Sequence, residues 1–138
     1  MIRTFLLFAT TLGGLAVILG AFGAHGLEDS ITPKRMSVWK TAARYHLIHS
    51  TVLLAVCGLL AHFPSKILER AAWCFIIGII IFASTLYLLV LTDTPFLGAI
   101  TPLGGLFLII GWAHCVWFAA VDLKAVSYTH LRAHETIA

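Results

Sequence analysis

The 138 residues include nine Lys and Arg against six Asp and Glu, a formal charge of +3, and only 11% of them are charged while 60% are hydrophobic. A mean hydropathy of +0.99 lies far outside the soluble range, where close to a quarter of residues carry charge, so a water-excluded globule is ruled out and lipid is the solvent. There is room for one domain, with a core made by helices packing on one another in the bilayer. The basic residues cluster at the ends of apolar runs, which suits contact with anionic headgroups and offers no basic stripe to nucleic acid.

From Phe5 to Phe22 the chain is almost wholly apolar and uncharged, close to the ~20 residues that cross a ~30 Å hydrocarbon core. This is the first span. Arg3 and the small residues Ala21 and Gly23 also resemble a cleaved signal peptide, but the apolar run is longer than such segments usually are. Ala9 and Gly13, then Ala16, Gly20 and Ala24, recur every four residues and let a neighbouring backbone approach. Gly20, Gly23 and Gly26 then form a junction before the only long polar connection, Glu28 to Arg44. Glycine permits a positive φ there, so the segment is expected to end the helix, turn and pack closely.

Thr32-Pro33 reads as a helix cap and first residue, and Met36, Trp39, Ala43 and His46 recur on one stripe. The expectation is a short interfacial helix between the first and second spans, with Trp39 anchored at the headgroups; a solvated loop is the alternative. The second span is placed at about Tyr45 to Ala61, and a tight turn at His62 to Lys66 leads to the third, about Ala71 to Leu91. The fourth covers about Leu97 to Val121. Within it Thr101-Pro102 either kinks the helix or marks its start, and a start near Pro102 is preferred. The fold class is therefore all-α integral membrane, four transmembrane helices in an antiparallel bundle, with both termini on one side. Arg3, Lys66, Arg70 and Lys124 on that side balance Lys34, Arg35, Lys40 and Arg44 on the other, so the positive-inside rule returns a tie.

Residues 1–124 form the transmembrane domain. Residues 125–138, which include Tyr128-Thr129-His130-Leu131-Arg132-Ala133, continue no helical period and resemble a translated sequencing adapter. They are expected to be a non-native tail that stands in place of the natural C-terminus.

Chemistry-bearing groups are few. Cys57, Cys74 and Cys115 lie inside apolar runs without a CxxC spacing, as neutral core fillers. His46 and His49 share a helix face at a spacing that suits two ligands of one metal, with His25 or His114 as a third. No carboxylate accompanies them, so neither a metal nor any other cofactor is assigned. The absence of an embedded carboxylate also counts against a proton-coupled exporter. No nucleophile elbow, phosphate loop or carboxylate pair points to an enzyme. The remaining polar positions, Ser84, Thr85, Tyr87 and Thr101, suit interhelical packing, with Gly104 and Gly105 beside them. A sharper expectation is a polar cleft formed by His25, Tyr45, His49, Ser84, Tyr87 and Thr101 around a broken helix at Pro102.

Leu19 to His25, then Trp39-Lys40-Thr41-Ala42 with Tyr45 and His49, Phe82 to Tyr87, and Ile100 to Gly105 with Gly111-Trp112 together resemble the domain of unknown function 423 family. These are small four-span bacterial inner-membrane proteins, with the transmembrane protein 256 group as eukaryotic relatives. The resemblance runs to about Lys124 and implies a four-helix membrane fold with cytoplasmic termini. It transfers no catalytic residue. The chain departs from the family pattern at His46, where glutamine is usual, and at Phe82 to Thr85, where a Ser-Gly-Ser type segment is usual. The first departure weakens a two-histidine metal site. Gly20, Gly23, Pro102, Gly104 and Gly105 are expected to pack or kink helices, and Trp39 and Trp112 to anchor at the interfaces. The functional expectation is a non-enzymatic protein that maintains the envelope or supports a membrane partner, in contact with lipid and with a second copy or another membrane protein. The alternative is a small transporter or channel with a polar path near His25, His49 and Pro102.

Overall fold

A computed structural model describes residues 1–122; the boundary at Lys124 and the tail at 125–138 lie outside the described residues. Four helices follow one another: α1 (Ile2–Gly26), α2 (Pro33–His62), α3 (Lys66–Thr92) and α4 (Leu97–Trp117), the last closed by a π-helical turn at Phe118–Asp122. All four are long and apolar enough to cross a bilayer.

Their ends follow from local chemistry. Thr32 Oγ1 accepts from the Arg35 amide at 3.4 Å with Pro33 as the first helical residue, and Ser65 Oγ accepts from the Ile67 and Leu68 amides at the start of α3, so each cap satisfies donors that the helix cannot. Asp93 ends α3 at φ 53°, a left-handed conformation that Asp tolerates better than most residues.

Three boundaries differ from expectation. The segment after Pro33 is helical, but it is continuous with the second span and is not a separate interfacial helix: α2 has 30 residues, roughly 45 Å of rise, and nothing between Arg44 and Tyr45 breaks its hydrogen bonding. Helix α4 begins at Leu97 and carries Pro102 inside; three backbone bonds of i→i+3 type, from Leu97, Gly98 and Ala99, start it before the proline is reached. Finally, α1 continues through Gly20 and Gly23 to Gly26, and no described glycine takes a positive φ.

Packing is sequential. Helix α1 lies on α2, α2 on α3 and α3 on α4, and α2 and α3 bury about twice the share of their apolar stretch that α1 and α4 do. The core is in two parts. One, built around Leu53, Leu68, Phe75 and Ile79, lies toward the termini; the other, built around Leu27, Trp39, Ala83 and Tyr87, lies toward the opposite face.

The α3–α4 seam has one register. Phe75 packs on Gly111, Leu108 on Gly78 and Phe82 on Gly104, and Thr85 Oγ1 meets Thr101 Oγ1 at 2.9 Å. The two numbers in every pair add up to the same total, as antiparallel helices in fixed register require. At Gly78 and Gly111 a glycine on one helix receives a large side chain from the other, and Gly104 receives the Phe82 backbone. Small residues bring membrane helices close because dispersion contacts, with no hydrophobic drive between spans, must hold them.

Candidate functional site

The interior polar groups fall into two clusters, both organised by α2. Successive helical turns direct His46 and His49 to different neighbours. His46 is 5% exposed; Tyr87 Oη lies 3.4 Å from its Nδ1, and its Nε2 is buried without a partner among the described residues. Tyr87 in turn packs on Trp39, ring centroids 4.6 Å apart, and Trp39 on Phe22 at 5.8 Å.

Trp39 is a core residue, only 1% exposed, and not the headgroup anchor expected of it. Its Nε1–H donates to the Leu19 carbonyl of α1 at 2.8 Å. An indole donor in an apolar interior needs such an acceptor. Gly23, one turn beyond Leu19, makes the approach possible: a Cβ there would overlap the indole Cδ1 and Nε1. Gly20 has no such role, since a Cβ added to it would meet open space.

The second cluster surrounds His49. Its Nδ1 lies 2.8 Å from the Tyr45 carbonyl, and Trp112 Nε1 lies 3.4 Å from its Nε2. A carbonyl only accepts and an indole N–H only donates, so both contacts are met by the tautomer with its proton on Nδ1. Tyr45 stacks on the imidazole at 5.7 Å, Phe75 tilts against it at 6.0 Å and Trp112 meets it edge-on at 6.5 Å.

Beside this cage a cleft of about 660 Å³ opens between α2 and α4. Helix α2 lines it with Arg44, Tyr45, Ile48 and His49, and α4 with Gly105, Leu108, Ile109 and Trp112. Phe82 of α3 closes it behind, stacked on Tyr45 at 4.8 Å. Tyr45, Ile48, Ile109 and Trp112 are all substantially exposed, so the cleft faces sideways into the lipid.

Of the six residues expected to share a polar cleft, Tyr45 and His49 line this one. Tyr87 belongs to the His46 cluster, and Thr101 is buried against Thr85 in the α3–α4 seam. His25 and Ser84 are exposed and line no part of the cleft. Pro102 is also outside it, so the path expected through His25, His49 and Pro102 keeps His49 alone. Gly104 packs against the Phe82 backbone, and Gly105 faces the same ring at 3.8 Å. Trp112 is half-exposed in the cleft wall, with a partner inside the bundle. Phe75, Phe82 and Arg44 escaped the reading as site residues. The Phe75, Phe82 and Trp112 contacts join separate helices and leave no short-range signal.

Chemically the arrangement offers aromatic faces, aliphatic walls and one cation. His114 Nδ1 bonds to the carbonyl of Ile110 in its own helix, His46 and His49 face different partners, and no group of three His, Cys, Asp or Glu gathers among the described residues. The cysteines are unpaired and at least partly buried, and Ser50 Oγ is spent on the His46 carbonyl at 2.7 Å.

No solved structure matches the chain. A family model described as a protein of unknown function, DUF423, matches residues 19–105. Among similar curated proteins, the UPF0382 membrane protein YwdK of Bacillus subtilis is 44% identical over 112 residues, 80% of this chain and 90% of that protein. A UPF0382 membrane protein of Staphylococcus epidermidis is 43% identical over 110 residues, 80% of this chain and 89% of that one. Family match, relatives and four apolar helices agree: this chain is a small integral membrane protein that belongs to the DUF423 (UPF0382) family.

Proposed function

We propose that the protein acts without enzymatic chemistry in the bacterial plasma membrane, its termini in the cytoplasm, and maintains the envelope by holding a membrane-embedded ligand in the cleft between α2 and α4. The observation that carries this reading is the cleft itself: about 660 Å³, walled by aromatic and aliphatic side chains and open toward lipid. Ligand sites are typically concave and mostly apolar with a few oriented polar groups. The non-enzymatic part is supported by the state of those polar groups. Both ring nitrogens of His49 are engaged, and no carboxylate among the described residues lines the cleft, so the described lining offers no base free to take a proton.

Gly105 supplies the test. A side chain there would enter the cleft, because its Cβ would meet only the Phe82 ring, at ordinary contact distance. Deleting the gene should raise detergent sensitivity and lower membrane potential; the wild-type gene should restore both, and Gly105→Leu, present in the membrane at equal amount, should not. Unchanged cells after deletion, or full rescue by the filled cleft, would refute the proposal.

A further inference from the structure

We propose that the ligand of this cleft is an anionic phospholipid, its phosphate held by Arg44 and Lys40 and one acyl chain laid along Ile48, Leu108 and Ile109. This inference rests on the cleft being a ligand site and adds the class of ligand.

The first argument is depth. Tyr45 stacks on Phe82, Trp39 on Tyr87, and Arg35 pairs with Asp93, so α2 and α3 run antiparallel in one register. Helix α3 ends at Thr92, which puts the Tyr45–Phe82 level roughly 15 Å below the end of α3. Since Ala71 to Leu91 carries no charge, that level is deep in the hydrocarbon. Arg44 is the next residue. On α1, Trp39 meets Leu19 and Ser50 meets Gly13, so Arg44 is level with Ala16 and Val17, and Val17 is 60% exposed on the lipid side. Across the cleft it is level with Leu103, beside Gly104, again an exposed apolar residue.

A guanidinium at such depth needs an anion or water. The described ion pairs are Arg35–Asp93 and Lys66–Glu69, so neither Arg44 nor Lys40 has a carboxylate among the described residues. Side chains lean toward a helix's N-terminus, which carries both cations toward the headgroups without bringing Arg44 out of the apolar layer.

The second argument is shape. A polar depression of about 370 Å³, lined by Ser37, Lys40, Thr41 and Arg44 with Pro33 and Met36, continues from the α2 N-terminus. It shares Arg44 with the apolar cleft. Polar trough above, apolar slot below and a cation at their junction match a phospholipid's headgroup, chain and phosphate. Arginine suits the phosphate because its planar fork binds two oxygens at once. A second copy of the chain fits worse: among the described residues Glu28, Asp29, Glu69, Asp93 and Asp122 all stand at helix ends or in loops, so none of these carboxylates reaches that depth.

The test is native mass spectrometry of the full protein released from nanodiscs of equal phosphatidylglycerol and phosphatidylcholine, with circular dichroism confirming helix content. Wild type should retain phosphatidylglycerol in preference to phosphatidylcholine. Lys40→Gln/Arg44→Gln should reduce its retention at least roughly thirtyfold, the figure for two charges at a membrane surface acting on one phosphate, Arg44→Lys only in part, and Gly105→Leu should abolish it. Retention lost in Gly105→Leu but indifferent to headgroup and to the double substitution would overturn the anionic-lipid assignment while leaving the cleft as a ligand site. Retention indifferent to Gly105→Leu, or a lipid-free dimer, would overturn both.

Discussion

Replacing Gly104 by alanine tests the α3–α4 seam at its tightest point. A Cβ at this position would collide with the Phe82 backbone nitrogen and come within 2.8 Å of its Cα and 2.9 Å of its Cβ. Backbone on both sides leaves no rotamer to absorb the overlap. Relieving the overlap with the nitrogen, the nearest of the three atoms, requires α4 to withdraw by about 1 Å, and a gap of that size forfeits about half of each dispersion contact along the seam. The Thr85–Thr101 bond, one turn away at 2.9 Å, is stretched as well. Overpacking typically costs about 1–3 kcal/mol and an interhelical hydrogen bond in a membrane about 0.6. Gly105→Ala is the matched control: its Cβ meets Phe82 at 3.8 Å, and the gain in helix propensity common to both substitutions cancels. The difference between the two variants is then about 2–3 kcal/mol, with Gly104→Ala the less stable. SDS-driven unfolding in mixed micelles, followed by circular dichroism, reads it directly. If the variants unfold within about 0.5 kcal/mol of each other, a resolution limit for such comparisons, the close approach does not hold these helices together.

Substitutions at two other positions probe other joints of the bundle. Trp39→Phe removes the donor to the Leu19 carbonyl and leaves a void beside Gly23, so it should cost about 2–4 kcal/mol by the same unfolding assay; a loss below 0.5 would show that the indole is not a structural post. Asp93 combines φ 53° with an ion pair to Arg35 whose carboxylate side chain is 76% exposed, so the pair contributes little while the backbone sets the requirement. Asp93→Gly should therefore unfold like the wild type and Asp93→Ala about 1 kcal/mol earlier; equal losses in both would assign the effect to the charge instead.

The spans were legible because their signal is local. A run such as Phe5 to Phe22 cannot avoid hydrocarbon, and with its backbone donors unsatisfied there it must be helical. Thr32-Pro33 marked a helix start because capping acts within one turn. The same locality misled at Trp39. An amphipathic ring beside lysine and arginine reads as an interface anchor, yet Gly23 of another helix opens a slot for it and Leu19 supplies its acceptor. At Pro102, a strong helix-start signal was overridden by i→i+3 bonds four residues earlier. Tyr45 and His49 could be paired in advance, being one turn apart; Trp112 could not.

Composition and periodicity by themselves determined that this is a four-helix membrane protein with no charge inside its four apolar runs, since transfer of each segment to lipid depends on its own residues. Only the tertiary structure decided which residues meet. The seam from Phe75–Gly111 to Thr85–Thr101 depends on the relative rotation and height of two helices, and a rotation that changes no segment's hydrophobicity would separate every pair. The same fixed register carries Arg44 to the level of lipid-facing Val17 and Leu103 and puts it at the mouth of the cleft. Read along the chain it is one more flanking charge, because depth in a bilayer is set by neighbouring helices and not by position in the sequence.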